Sequence, residues 1–183
     1  MADDPKTLVS TDWLEAHLKD PDLRILDASW YLPDAGRDAK AEYQAAHIPG
    51  ARFFDIDEIA DKRSGLPHMA PPPEMFISRM RAMGVGDGHQ VVVYDGSGLF
   101  SAARVWWTFR LMGKTDVAVL DGGFPKWRAE GHEIEDMPPV MPQLCPASLS
   151  RGGPESRFRR PEPLRLLVGV TGFEAQERVV SPP

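Results

Sequence analysis

The chain has 183 residues, 42% of them apolar, with a formal net charge of −6 and a single cysteine. This length and composition allow one sizeable hydrophobic core but hardly two complete α/β domains. The negative charge argues against nucleic acid as a partner, since contacts to phosphates need clustered Lys and Arg, and one cysteine excludes an intramolecular disulfide and a cysteine-based metal cluster.

The chain starts with an acidic segment, residues 1–5, that lacks the apolar core of a secretory signal. No later run approaches the roughly 20 apolar residues of a membrane helix. We therefore expect no contact with a membrane and take the cytoplasm as the default compartment.

Helices and strands are predicted to alternate in the first part of the chain. Ser10 can cap a helix over residues 11–19, and a short strand is expected at Leu23–Asp27. A helix over residues 39–46 ends before Pro49, and a short strand follows over residues 52–55. This order is typical of βα units.

The same alternation continues in the middle of the chain. Pro73 precedes a helix over residues 74–83, which Gly84 closes. The later predicted elements are a buried strand over residues 91–93, an apolar helix over 100–112, a strand at Val117–Leu120 and a short helix over 124–129. Together these elements predict an α/β fold with a doubly wound parallel sheet flanked by helices.

The buried strand at 91–93 runs into a small glycine loop formed by Asp95, Gly96, Ser97 and Gly98. The carboxyl end of a central strand is where α/β proteins place their ligands, and glycines let backbone amides turn inward to cradle an anion. We expect the Asp95 carboxylate to accept hydrogen bonds from these amides and to cap the next helix. Alternatives are a place in a partner interface, phosphorylation, or binding of Mg²⁺.

Four motifs carry a specific resemblance. They are His47-Ile48-Pro49-Gly50-Ala51, Val92-Val93-Tyr94-Asp95, the segment from Ser101 to Arg110, and Leu120-Asp121-Gly122-Gly123-Phe124 with Trp127. In their order and spacing the chain resembles the N-terminal half of a tandem-rhodanese sulfurtransferase, the family of thiosulfate and 3-mercaptopyruvate sulfurtransferases. The resemblance implies a rhodanese-like domain of the non-catalytic type over residues 8–139.

In that family the second domain carries the cysteine that forms a persulfide, and matching its loop onto this chain places Asp95 at the cysteine position. The resemblance therefore implies no catalytic residue in this domain, no cofactor and no activity of the chain alone. A small-molecule sulfur donor would be a partner only when a cysteine domain is present. The alternatives are a non-enzymatic rhodanese-like module that binds a protein partner, and a phosphoryl-transfer or Mg²⁺-dependent domain centred on Asp95.

The helix after the loop carries four candidate contact residues, Arg104, Trp106, Trp107 and Arg110. Neighbouring helical positions point about 100° apart, so only one of the two tryptophans can face the core. The outward one would contact a second domain, a protein partner or another copy of the chain. The arginines could meet an anionic substrate across such an interface, although solvated arginines are the commoner outcome.

Prolines recur in residues 140–183, and the sequence predicts an irregular or disordered tail there. Two origins are open: a natural tail, or a coding sequence that was truncated or left its frame soon after Pro139. Cys145 precedes Pro146 and lies at no helix start that would lower its pKa, so we do not expect it to be a nucleophile. The five histidines are scattered, so no metal site is expected.

Overall fold

The computed structural model describes residues 2–136, in which five strands form one parallel sheet with helices on both faces. The predictions for the tail and for Cys145 lie outside these residues. No helix within residues 2–136 is long and apolar enough to cross a membrane.

The strands pair in the order β1-β5-β4-β2-β3, and every pairing is parallel. In chain order the elements are β1 (Leu8–Val9), α1 (Thr11–His17), β2 (Leu23–Asp27), α2 (Ala39–Ala45), β3 (Arg52–Phe53), α3 (Pro73–Ala82), β4 (Gln90–Tyr94), α4 (Ala102–Leu111), β5 (Val117–Leu120) and α5 (Gly123–Ala129). One 3-10 turn at Pro33–Ala35 precedes α2.

Successive side chains of β4 point to opposite faces of the sheet, and each face has its own core. Val91 and Val93 pack with α3 and α4, where Phe76, Met80 and Phe109 are fully buried. Their neighbours Val92 and Tyr94 pack with α1, α2 and α5, around Leu14, Tyr43 and Trp127. Helices therefore cover both faces, which confirms the predicted doubly wound parallel sheet.

Local signals account for several helix ends. The Ser10 side chain accepts a hydrogen bond from the Trp13 amide at the start of α1, at 3.2 Å. At the end of α3, Gly84 adopts a left-handed φ of 66°, and the next amide, of Val85, donates to the Met80 carbonyl at 2.8 Å. A Cβ at Gly84 would lie 2.4 Å from Arg52 Nη1, so only glycine fits without displacement.

Most differences from the predicted elements lie at their ends. The helix predicted over 11–19 stops at His17, the one over 39–46 at Ala45, and the strand predicted over 52–55 includes only Arg52–Phe53. The helix predicted over 100–112 begins at Ala102 because the residues before it form the loop around Asp95. Strand β1 was missed, since two residues carry no periodic pattern and become a strand only by pairing with β5.

Candidate functional site at the carboxyl edge of the sheet

The carboxyl ends of β2 and β4 lie side by side in the middle of the sheet. After β2 the chain continues through α2 on one face, whereas after β4 it continues through α4 on the other. Such a reversal of direction opens a crevice outside the strand ends, where doubly wound proteins bind ligands. The segments that border this crevice follow Asp27 and Tyr94.

Asp95, directly after β4, is only 1% exposed, and its carboxylate accepts three backbone hydrogen bonds. Its Oδ1 accepts from the Ser97 amide at 2.9 Å, and its Oδ2 from the amides of Phe100 at 2.7 Å and Ala102 at 2.9 Å. Ala102 is the first residue of α4, and the side chain of Ser101 before it makes no capping bond. The Asp95 carboxylate thus fills the amide cradle itself and caps α4 in place of Ser101.

The main chain of Asp95 is tied to the next helix as well. Its carbonyl oxygen accepts from the Phe124 amide of α5 at 3.0 Å. A Cβ at Gly123 would lie 2.5 Å from the same oxygen, and the φ of Gly123 is +56°, so this close approach requires glycine. Asp95 therefore positions the starts of α4 and α5 together.

Two further residues of the site, Asp27 and Ser29, lie at and just after the end of β2, and the sequence analysis did not predict them. The Gly96 amide donates to Ser29 Oγ at 2.8 Å, and the Ser29 amide donates to Asp27 Oδ1 at 2.8 Å. Burial raises the pKa of Asp27, which is 4% exposed, and the nearby charge of Asp95 acts in the same direction. One sequence signal could have identified Asp27: it stands at the carboxyl end of a predicted strand, and Asp95 was chosen as a candidate because it follows a strand end in the same way.

Beside the loop, on the α4 side, lies a cleft of about 200 Å³, which we call the Trp30–Arg104 cleft. Its lining residues are Trp30, Ile56, His68, Phe100, Ser101 and Arg104. His68 Nδ1 lies 2.8 Å from Asp57 Oδ1, and the Arg104 guanidinium donates to the His68 carbonyl. Buried Ser101 Oγ has no hydrogen-bond partner among the described residues. The cleft therefore presents aromatic surface and a cation, and the buried Ser101 hydroxyl in its wall is unpaired.

The two tryptophans of α4 face different environments, as their adjacent positions require. Trp106 is half-buried, and its Nε1 donates to the Val117 carbonyl at 3.0 Å. Trp107 is 45% exposed, with the Arg104 guanidinium 5.5 Å from its ring centre. Arg110 lies over the Trp106 ring at 4.9 Å and does not line the cleft. The structure thus brings Arg104, but not Arg110, to the candidate site.

The described part of the chain offers no group of three or more His, Cys, Asp or Glu side chains that could hold a metal ion. Both oxygens of Asp95 face N–H donors, an arrangement that favours an anion and repels a cation. His47 is fully buried, with Nδ1 2.7 Å from the Tyr43 carbonyl, in a structural role within its turn.

Comparison with known proteins gives a consistent set of relatives. The family model described as "Rhodanese-like domain" matches residues 10–130. Thiosulfate/3-mercaptopyruvate sulfurtransferase 1, mitochondrial, from Arabidopsis thaliana is 57% identical over 128 residues, which is 70% of this chain and 34% of the relative. Human 3-mercaptopyruvate sulfurtransferase is 48% identical over 128 residues, 67% of this chain and 43% of the relative.

Among solved structures, SseA from Escherichia coli, a 3-mercaptopyruvate sulfotransferase, superposes with a TM-score of 0.70 at 41% identity. The match covers 74% of this chain and 52% of SseA. The chain therefore spans about half or less of the length of the relatives it matches.

Proposed function

The chain belongs to the rhodanese-like domain family, and we propose that it supplies the half of a thiosulfate or 3-mercaptopyruvate sulfurtransferase that lacks the sulfur-carrying cysteine. In that reaction a thiolate attacks the outer sulfur of thiosulfate, and the S–S bond breaks so that sulfite leaves with the electron pair. With 3-mercaptopyruvate the thiolate attacks the thiol sulfur, and the C–S bond breaks so that pyruvate leaves as its enolate and takes up the proton of that thiol; both routes form a persulfide. A thiophilic acceptor then attacks the terminal sulfur and regenerates the thiolate. The sulfur-carrying thiol would come from a cysteine-bearing domain.

One observation carries this proposal. The amide cradle at the end of β4, which in a cysteine domain would stabilise a thiolate and its persulfide, is occupied here by the carboxylate of Asp95. A carboxylate oxygen cannot carry sulfane sulfur through such a cycle. The described domain is therefore expected to be inactive alone and to act by completing the site of a second domain.

The Trp30–Arg104 cleft supports a role for this half in binding the donor and the second domain. Thiosulfate and 3-mercaptopyruvate are anions, and the Arg104 guanidinium makes no ion pair with any carboxylate in residues 2–136. Two exposed apolar side chains lie beside it: Phe100, 56% exposed, lines the same cleft, and Met69, 42% exposed, lines a neighbouring cavity with Arg104. An apolar rim around an unpaired cation suits a covered, anion-binding interface.

The first experiment tests inactivity. The purified chain is incubated with thiosulfate and cyanide, and thiocyanate is measured beside the variants Asp95→Ala and Cys145→Ser. We expect no thiocyanate above the level of Asp95→Ala. Turnover that disappears with Cys145→Ser would overturn the proposal, because it would place the sulfur-carrying thiol in this chain.

The second experiment tests the contribution of this half. The matched 128-residue segment of the Arabidopsis relative is replaced by the corresponding residues of this chain, and sulfur transfer from 3-mercaptopyruvate is measured. We expect an active chimera in which Arg104→Gln lowers kcat/KM roughly tenfold, as loss of one charge-assisted hydrogen bond predicts. Arg110→Gln, outside the cleft, is the matched control and should leave kcat/KM within about twofold. Equal effects of the two variants would contradict the assignment of Arg104.

A second candidate function is a non-enzymatic module that docks a protein partner. The exposed face of Trp107 beside Arg104 favours it, since tryptophan and arginine are enriched where proteins bind each other. The two candidates differ in the chimera: a pure docking module would give an inactive chimera, whereas the sulfurtransferase half gives an active one.

For the compartment, we retain the cytoplasm as the proposal. The name of the Arabidopsis relative places that protein in mitochondria, so the mitochondrion is the alternative compartment. Fractionation of the source cells, with the chain detected by antibody, distinguishes the two.

A further inference from the structure

A second cavity lies on the other side of the Asp95 loop, between α2 and α5. Its volume is about 470 Å³, within the range of small-molecule pockets. Gly96 is the loop residue in its wall, and the lining also includes Asp27, Tyr31, Glu42, Phe124 and Arg128. The cavity shares no lining residue with the Trp30–Arg104 cleft.

One wall of this cavity is a set of polar groups that already bind each other. Arg37 Nε donates to Glu42 Oε1 at 2.8 Å, and Arg37 Nη2 donates to Glu42 Oε2 at 2.6 Å. The Tyr31 hydroxyl also donates to Glu42 Oε2, at 2.7 Å, and the Arg37 guanidinium lies 3.8 Å over the Tyr31 ring. The charge of Arg37 is therefore neutralised within the wall, and the wall is held in one geometry.

The α5 part of the lining combines apolar surface with one cation. Phe124 and Pro125 of α5 line the cavity together with Tyr43, Ala45 and Ala46 of the α2 end. Arg128, one helical turn beyond Phe124, lines the same space, and its guanidinium makes no hydrogen bond or ion pair with any residue in the range 2–136. A ligand entering the cavity thus meets one unpaired positive charge and a ring-sized apolar surface.

We propose that this cavity binds a small aromatic carboxylate, with its carboxylate on Arg128 and its ring between Phe124 and Tyr43. A single free guanidinium matches a monoanion and can bind a carboxylate through two parallel hydrogen bonds. The carboxyl groups of Asp27 and Glu42 in the wall disfavour a dianion such as phosphate. The cavity shares Asp27, Ser29 and Gly96 with the surroundings of Asp95, whereas the proposed ligand contacts Arg128, Phe124 and Tyr43 do not line the Trp30–Arg104 cleft.

The test uses benzoate as the probe and the full chain labelled with ¹⁵N. Benzoate is titrated while the amide resonances of Gly96 and Phe124, which both line the cavity, are followed by NMR. Both should shift in a saturable way. Benzyl alcohol, which has the ring without the charge, and acetate, which has the charge without the ring, should each bind at least about tenfold more weakly.

Arg128→Gln and Lys126→Gln form the matched pair of variants. Both side chains lie on α5, but Lys126 pairs with Asp121 at 2.9 Å and does not line the cavity. We expect Arg128→Gln to weaken benzoate binding roughly tenfold and Lys126→Gln to change it by less than about twofold. Arg128 has no described partner to lose, so its variant should fold normally.

Two results would overturn the proposal. Absence of saturable shifts at Gly96 and Phe124 would exclude the site. Unchanged affinity in Arg128→Gln would remove the anion-binding role of that residue, on which the choice of ligand class depends.

Discussion

Replacing Asp95 by alanine tests how much of the fold depends on the occupied amide cradle. The variant loses three acceptors, but the amides of Ser97 and Phe100 belong to exposed residues and can turn to water. The Ala102 amide is in a fully buried residue and would stay unpaired. An unpaired buried amide costs about 1–3 kcal/mol and a lost helix cap about 1 kcal/mol, so we expect Asp95→Ala to lower the free energy of unfolding by roughly 2–4 kcal/mol.

The assay is urea unfolding at neutral pH, followed by tryptophan fluorescence. Asp95→Asn keeps one oxygen for the Phe100 and Ala102 amides and should cost about half as much, because it loses the charge and the acceptor of the exposed Ser97 amide but leaves the buried Ala102 amide paired. Asp34→Ala, an exposed aspartate whose side chain makes no hydrogen bond in the described residues, is the control and should change stability by less than about 0.5 kcal/mol. If Asp95→Ala costs no more than this control, the reasoning about the cradle is wrong.

Three further predictions concern Asp27, Asp95 and Trp107. Since burial raises the pKa of Asp27, the folded state holds its proton more tightly, and stability falls as pH rises from the unfolded pKa of about 3.9 through the folded one. Asp27→Asn keeps an acceptor for Ser29 but has no proton to lose, so the free energy of unfolding of this variant, minus that of wild type, should increase between pH 4 and 7. The measurement is urea unfolding at a series of pH values, and a difference that stays constant with pH would contradict the prediction. In a Cys145→Ser background, Asp95→Cys places a thiol among the loop amides, and the pKa of this thiol should fall below about 8.5. The pKa is measured by the absorbance of the thiolate, since a buried thiol reacts poorly with added reagents. An unshifted pKa would show that the amides do not form an anion cradle. Trp107→Gln should reduce any concentration-dependent self-association measured by sedimentation without lowering Tm, since the side chain is 45% exposed; a large loss of Tm would place Trp107 in the core instead.

Much of the fold could be predicted because apolar spacing is a local property. Strands Leu23–Asp27 and Val117–Leu120 match their predicted bounds at both ends. Val117–Leu120 is apolar and buried throughout, and Leu23–Asp27 has three buried apolar residues, Leu23, Ile25 and Leu26, in a central strand of the parallel sheet. The two-residue strand β1 could not be predicted, because only its hydrogen bonds to β5 define it. The predicted start of α4, Phe100, lies two residues before the observed start, Ala102, because the Phe100 amide donates to the Asp95 carboxylate and Phe100 remains part of the loop.

For the candidate site, too, some features could be predicted from local sequence and others could not. By itself the sequence determined that an acidic residue and two glycines follow the central strand, and the resemblance it carries placed Asp95 where related domains have a cysteine. Only the tertiary structure decided which groups meet there. Ser29 reaches the Gly96 amide across 67 residues of chain, and Arg104 reaches the His68 carbonyl across 36, because the strand order sets the ends of β2 and β4 side by side. Such contacts depend on which elements become neighbours, and no local pattern in the sequence specifies that.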